Sequence, residues 1–211
     1  MTPIPLDLLI ARNRNWAMHS RRHDPLYFRR HQDNQMPRCL WIGCADSRVP
    51  AESLVQASPG ELFVLRNVAN QVLTDDDGMM SGVHYALTCL NIRMVIVCGH
   101  TGCGGVAYAG QQAVLPDDHG IAPPLQRQLA ALRDFYREQL THHSDWLSLP
   151  AGILQNTLAE LNVRRQLSQL RRSALFQEIS QTQTLSLHGC IYDLAQGTLN
   201  VLSDDTDGEC A

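Results

Sequence analysis

Two short apolar runs, Cys39-Leu40-Trp41-Ile42-Gly43 and Met94-Val95-Ile96-Val97-Cys98-Gly99, are each followed at once by residues that carry chemistry. After the first comes Cys44-Ala45-Asp46-Ser47-Arg48, and after the second His100-Thr101-Gly102-Cys103-Gly104-Gly105. An apolar run without alternation reads as a strand covered on both faces, the kind found in parallel sheets. Such sheets place their sites outside the carboxyl ends of the strands, where the strand order reverses. If the two strands are neighbours, two thiols, one imidazole and a carboxylate–guanidinium pair arrive at one place.

The remaining pattern supplies the rest of such a sheet. Further strands are predicted at 61–67 and 184–187, with a short last strand at 198–202. Helical periodicity covers 50–57, 79–90, 104–112, 125–140 and 153–172. The expected fold is therefore α/β: a central, mostly parallel sheet of four strands plus a short antiparallel edge strand, with helices on both faces. In the 79–90 helix the inward face is expected to hold Met80, Val83, His84, Leu87 and Leu90. In the 153–172 helix it is the leucines, with Arg164, Arg165, Arg171 and Arg172 on a solvated face. Two helical stretches, 6–19 and 25–32, precede the sheet and are too short to stand alone. They define an N-terminal helical arm over 1–36, expected to be an oligomer contact, ahead of a single α/β domain at 37–211. The segment 113–124, with Pro116, Pro123 and Pro124, reads as a loop. The acidic tail 204–209, beside Cys210, reads as frayed.

Composition narrows the function. The chain has 211 residues, 18% of them charged, and a formal net charge of -4, so it offers no basic field for nucleic acid. No apolar run approaches the roughly 20 residues of a membrane span. The start, Met1-Thr2-Pro3-Ile4-Pro5-Leu6-Asp7, lacks a secretory pattern, and Asp7 speaks against a transit peptide, so the expected compartment is the cytoplasm. Seven cysteines, an odd number, do not read as a disulfide framework. Cys39, Cys89 and Cys98 lie in apolar runs and are expected to be small buried hydrophobes.

Cys44, His100 and Cys103 suit zinc, which takes thiolate and imidazole ligands and in catalytic sites keeps one position open. His-x-x-Cys at a strand-to-helix turn lets two ligands meet one metal, and Gly102, Gly104 and Gly105 permit the tight backbone. By itself His-x-x-Cys also occurs by chance. A closed structural site is the alternative, with Cys190 or His188 as fourth donor. Asp46 and Arg48 project to one side of an extended segment, where the cation keeps the carboxylate ionised and oriented.

Three stretches, Cys44 to Pro50, Gly60 to Asn70 and Cys98 to Val106, resemble the β-class carbonic anhydrases. Asn162 to Leu167 and His188 to Leu194 match the C-terminal half of that family. The resemblance spans about 39–202 and leaves 113–149 unanchored. Ala45 and Cys190 depart from the family's usual residues without touching a ligand position. The resemblance implies a zinc-dependent lyase that reversibly hydrates carbon dioxide to bicarbonate and a proton by zinc-bound hydroxide. It implies Cys44, His100 and Cys103 as ligands, Asp46 and Arg48 as the catalytic dyad, and a homodimer or homotetramer. Two thiolate ligands donate more charge than imidazoles, so the bound water should hold its proton to higher pH than in a three-histidine site. Val68, Ala69, Tyr85 and Leu90 are apolar candidates to receive carbon dioxide. In a bicarbonate-regulated (type II) subgroup, Asp46 would close the site as fourth ligand at lower pH. Trp41, Arg66 and Tyr192 occupy the positions of that subgroup's bicarbonate pocket. A hydrolase of carbon disulfide or carbonyl sulfide, or a non-catalytic zinc-stabilised protein, are the other readings.

Overall fold

The structure, a computed structural model, describes residues 3–115 and 123–203. Pro116 of the expected loop and the acidic tail with Cys210 lie outside the described residues. The chain divides into two compact units, Met1–Met36 and Pro37–Ala211.

In the first unit, helix α1 (Leu6–His23) runs a turn further than its apolar stripe predicts. Asp7 in its first turn and Arg21, Arg22 and His23 in its last complement the helix dipole. None of its residues is buried. The expected helix at 25–32 is only a 3-10 turn, Arg29–His31. Trp16 meets the edges of Tyr27 and Phe28, with ring centroids 6.3 and 5.3 Å away.

The second unit is built on five strands: β1 (Cys39–Cys44), β2 (Leu62–Asn67), β3 (Met94–His100), β4 (Ser186–Asp193) and β5 (Thr198–Val201). Their order is β2-β1-β3-β4-β5, parallel throughout except for the antiparallel pairing of β4 with β5. The predicted α/β sheet with one antiparallel edge is therefore present. β4 is longer than the stretch expected at 184–187. Gly189 and Cys190 break the apolar run, but pairing with β3 on one side and β5 on the other carries the strand on to Asp193.

Between the strands lie α2 (Ala51–Leu54), α3 (Asp77–His84), α4 (Gly104–Val114), α5 (Pro123–His142), α6 (Ala151–Arg172) and α7 (Ala174–Ser180). The Asp76 side chain caps α3 by accepting from the amides of Gly78 and Met79. A π turn, Tyr85–Cys89, continues α3. The buried face there is Met79, Val83, Ala86 and Leu87, while His84 and Cys89 face out. Cys89 stands two residues beyond Leu87, about 200° around the helix, so it cannot share the inward face. α7 was not legible as a separate helix. It begins where Ser173 caps the Phe176 amide.

Alternation sorts the sheet into two faces. Leu40, Ile42, Val95, Val97, Leu187 and Ile191 join the large core with residues of α3 to α6. Trp41, Cys98 and Cys190 lie on the other face with Ala51 of α2. The strand order reverses direction on either side of β1. The carboxyl ends of β1 and β3, side by side at that reversal, are where a site is expected.

Candidate active site

Cys44 ends β1, His100 ends β3 and Cys103 stands at the N-cap of α4. All three are buried, and their ligand-type atoms lie within 4.8 Å of one another. The two sulfurs are 3.8 Å apart. Gly102, at φ +63°, makes the turn that returns Cys103 toward His100. His100 Nδ1 pairs with the Thr101 carbonyl at 2.9 Å, which places the proton on Nδ1 and leaves Nε2 as an acceptor. That Nε2 is buried without a hydrogen-bond partner. A buried, unpartnered acceptor is costly unless something is meant to bind it. Two thiols and this lone pair converging on one point fit a zinc ion by donor type and number.

The sulfurs are prepared to carry charge. The Cys103 thiol, then His100 and the amides of Asp46 and Ala69, push the Cys44 thiol down from its ordinary value against the effect of burial. The amides of Val106 and Gly105, in the first turn of α4, point at the Cys103 sulfur.

Beyond Cys44 the chain turns on Asp46, whose Oδ1 accepts the Arg48 amide at 2.9 Å. The Arg48 guanidinium grips the same carboxylate with both arms, Nε to Oδ1 at 2.9 Å and Nη2 to Oδ2 at 2.7 Å. Arg48 thereby holds the Asp46 carboxyl well below the usual carboxylate range. Asp46 Oδ2 stands 3.7 Å from His100 Nε2. Arg48 Nη2 also reaches the Gly102 carbonyl at 3.3 Å, tying the two motifs together.

The other expected residues are placed less uniformly. Neither Cys190 nor His188 joins the sulfur–imidazole cluster among the described residues. Cys190 is paired with Cys98 on the opposite sheet face, and His188 is exposed. Val68 and Ala69 lie against the first turn of α4: a Cβ on Gly105 would stand 2.8 and 3.1 Å from their side chains. Tyr85 leans on Phe63, and Leu90 packs on the large core. Trp41 is buried with its indole over Gly43, and Tyr192 packs against the same small cluster. Arg66 pairs with Gly43 in register and so shares the Trp41 face. Its guanidinium donates to the carbonyls of Cys44 at 2.8 Å and Asp46 at 2.7 Å. Sequence reasoning passed over the amide side chains of α6. Gln155 Nε2 donates to the Cys103 carbonyl at 3.0 Å, and Asn156 Oδ1 accepts the Gly102 amide at 3.2 Å. Their only signal is an amide at helical spacing within a leucine-rich helix.

Comparison with known proteins follows the same geometry. A family model described as carbonic anhydrase matches residues 39–199, which contain every strand but the last two residues of β5. A carbonic anhydrase of Emericella nidulans is 36% identical over 204 residues, covering 96% of this chain and 85% of its own. The solved β-carbonic anhydrase of Aspergillus fumigatus superposes with a TM-score of 0.84 at 34% identity, over 93% of this chain and 90% of the other. A structure described among two tetrameric β-carbonic anhydrases of Sordaria macrospora gives 0.84 at 28% identity, over 93% and 96%. The matched span begins at the first residue of β1 and carries both ligand-bearing turns, and on that ground the chain belongs to the β-class carbonic anhydrase family and is a carbonic anhydrase.

Proposed function

We propose that Cys44, His100 and Cys103 hold a zinc ion and that Asp46 and Arg48 serve the reversible hydration of carbon dioxide beside it. The observation that carries this reading is the buried His100 Nε2, unpartnered, within 4.8 Å of two sulfurs. A zinc ion so held supplies a Lewis-acid position at which water loses its proton far more readily than in bulk. The chain's own residues do the rest. Arg48 keeps Asp46 ionised and fixes its plane, so a carboxylate oxygen is left to accept a hydrogen bond from the attacking oxygen nucleophile. That bond orients the nucleophile toward carbon dioxide. Val68 and Ala69, against α4, offer the apolar wall. Carbon dioxide gains the oxygen, bicarbonate departs, and one proton is released to solvent for each turnover. Stopped-flow hydration and zinc content measured on one sample test this. One zinc per chain with activity is expected; zinc without hydration, or hydration without zinc, counts against it. Release of hydrogen sulfide from carbon disulfide in the absence of hydration would favour the hydrolase reading.

A second reading, favoured by the bonds of Arg66, is a bicarbonate-responsive site of the type II kind. Arg66 lies on the face of Trp41 and Tyr192 yet grips the carbonyls of Cys44 and Asp46. An anion drawn to Arg66 would loosen that grip and free Asp46 to leave Arg48 for the metal, as would low pH. If hydration by Tyr192→Phe responds to bicarbonate and pH as the wild type does, the idea fails.

The unburied α1, with Leu6, Leu9, Ile10, Trp16 and Met18 exposed, supports a role for 1–36 as an oligomer contact in a homodimer or homotetramer. Light scattering on the full chain tests it. No helix among the described residues is long and apolar enough to cross a membrane. We infer a cytoplasmic location, which fractionation would check.

A further inference from the structure

Helix α6 turns amide side chains inward among its apolar residues. Asn162 and Gln166 are both 0% exposed. Buried amides need partners, and these have them. Asn162 Nδ2 donates to the Ala69 carbonyl at 2.8 Å, and Asn162 Oδ1 accepts from Gln71 Nε2 and Gln166 Nε2, each at 2.8 Å. Gln71 Nε2 reaches the same Ala69 carbonyl at 2.6 Å. Gln166 Oε1 accepts the Val72 amide at 2.7 Å. Asn67 and Gln71 close the turn with two further bonds, at 2.6 and 2.7 Å.

This network grips the turn that follows β2. Ala69 and Asn70 both have positive φ, 61° and 46°, a conformation that side-chain-bearing residues rarely adopt unless the surroundings impose it. In that conformation the Ala69 carbonyl points to α6 while its amide points to the Cys44 sulfur. Nothing in the hydroxyl-free, apolar sequence Val68-Ala69 would hold the turn by itself. The first turn of α4 closes the other side, since a Cβ at Gly105 would meet Ala69 Cβ at 3.1 Å and its nitrogen at 3.4 Å.

We propose that Asn162 is a positioning residue of the active site, which by holding the Ala69 carbonyl keeps the Ala69 amide aimed at the Cys44 sulfur. The proposal rests on the reading of Cys44 as a zinc ligand. An amide bonded to a thiolate fixes the direction of its lone pairs and spreads its charge, and partners of this kind tune metal affinity.

The test compares Asn162→Leu with Tyr136→Phe. The latter removes one buried hydrogen bond onto the same helix, from Tyr136 Oη to the Leu158 carbonyl at 2.6 Å, and touches nothing at residue 69. Zinc transfer to a chromogenic chelator should be at least about 10-fold faster than wild type in Asn162→Leu and within about twofold in Tyr136→Phe. In the cobalt-substituted proteins the thiolate-to-metal charge-transfer band should move only in Asn162→Leu. Equal transfer rates and an unmoved band in both variants overturn the proposal. Should Asn162→Leu fail to fold, the cadmium-113 form of the wild type decides: through-bond coupling between the metal and the Ala69 amide proton supports the proposal, and its absence overturns it. A wild-type chain that holds no zinc, or a Cys44→Ser chain that keeps it, overturns the ligand assignment and this proposal with it.

Discussion

Arg48 and Asp46 form a two-armed pair, Nε to Oδ1 and Nη2 to Oδ2, on a turn that also bonds the Arg48 amide to the same carboxylate. The pair is half in solvent: the Arg48 side chain is 57% exposed and that of Asp46 15%. It therefore adds little to stability. What it gives is direction, a carboxylate held ionised and in plane beside the sulfur–imidazole cluster.

Asp46→Asn is expected to fold and to keep its zinc, since it alters no sulfur or imidazole. It loses the acceptor charge and turns an amide toward Arg48. Hydration should fall on the order of 100-fold, within the usual range for a lost acid–base partner. Stopped-flow rates normalised to zinc content check this.

Removing zinc with a chelator should lower the unfolding temperature while leaving far-UV circular dichroism nearly unchanged. The ligand elements are held by strand pairing, and metal adds stability by mass action: about 2.7 kcal/mol at a free concentration 100 times the dissociation constant. Thermal unfolding before and after zinc is restored measures it. Cys44→Ser should show no response to added zinc.

Tyr136 is fully buried, and burial raises its phenol well above the ordinary value. The folded chain thus keeps a proton that the unfolded chain releases above about pH 10. The stability from Tyr136 is fully present below that pH and declines as pH rises toward the raised folded value. Tyr136→Phe should cost about 1 kcal/mol at pH 7 through the lost bond to Leu158. The gap should narrow at pH 10.5 to 11, as urea midpoints at the two pH values will show.

Gly99→Ala should destabilise the seat of α6 on the sheet. A Cβ there would stand 2.8 Å from Val163 Cγ2 and 3.0 Å from Ile191 Cδ1. Val163 is 0% exposed and β-branched, so it has nowhere to move. A loss of about 1–3 kcal/mol in chemical unfolding is expected.

The sheet was legible because its strands are local apolar runs closed by turn residues. Cys44, His100 and Cys103 could be singled out for the same reason: each sits at the end of such a run. β4 was cut short because Gly189 and Cys190 look like a break until two neighbouring strands are supplied. Asn162 and Gln166 were unreadable for a different cause. A polar residue in a helix is assigned to solvent by default, and only the positive φ of Ala69, unmarked in the sequence, gives them something to hold. The pocket positions Trp41, Arg66 and Tyr192 share a sheet face, but the bonds of Arg66 to two carbonyls had no signal in the chain.

Cys44 and Cys103 are 59 residues apart in the chain, yet the register of β1 with β3 alone brings their turns together. That has a consequence for assembly in time. A growing chain that has not laid β3 beside β1 offers a metal one thiol and no chelate. The entropy of closing so long a loop is met by backbone ladder and core, before any ion is captured. Loading is then a late event on a finished scaffold, and a chain made in zinc-poor medium should refill without refolding.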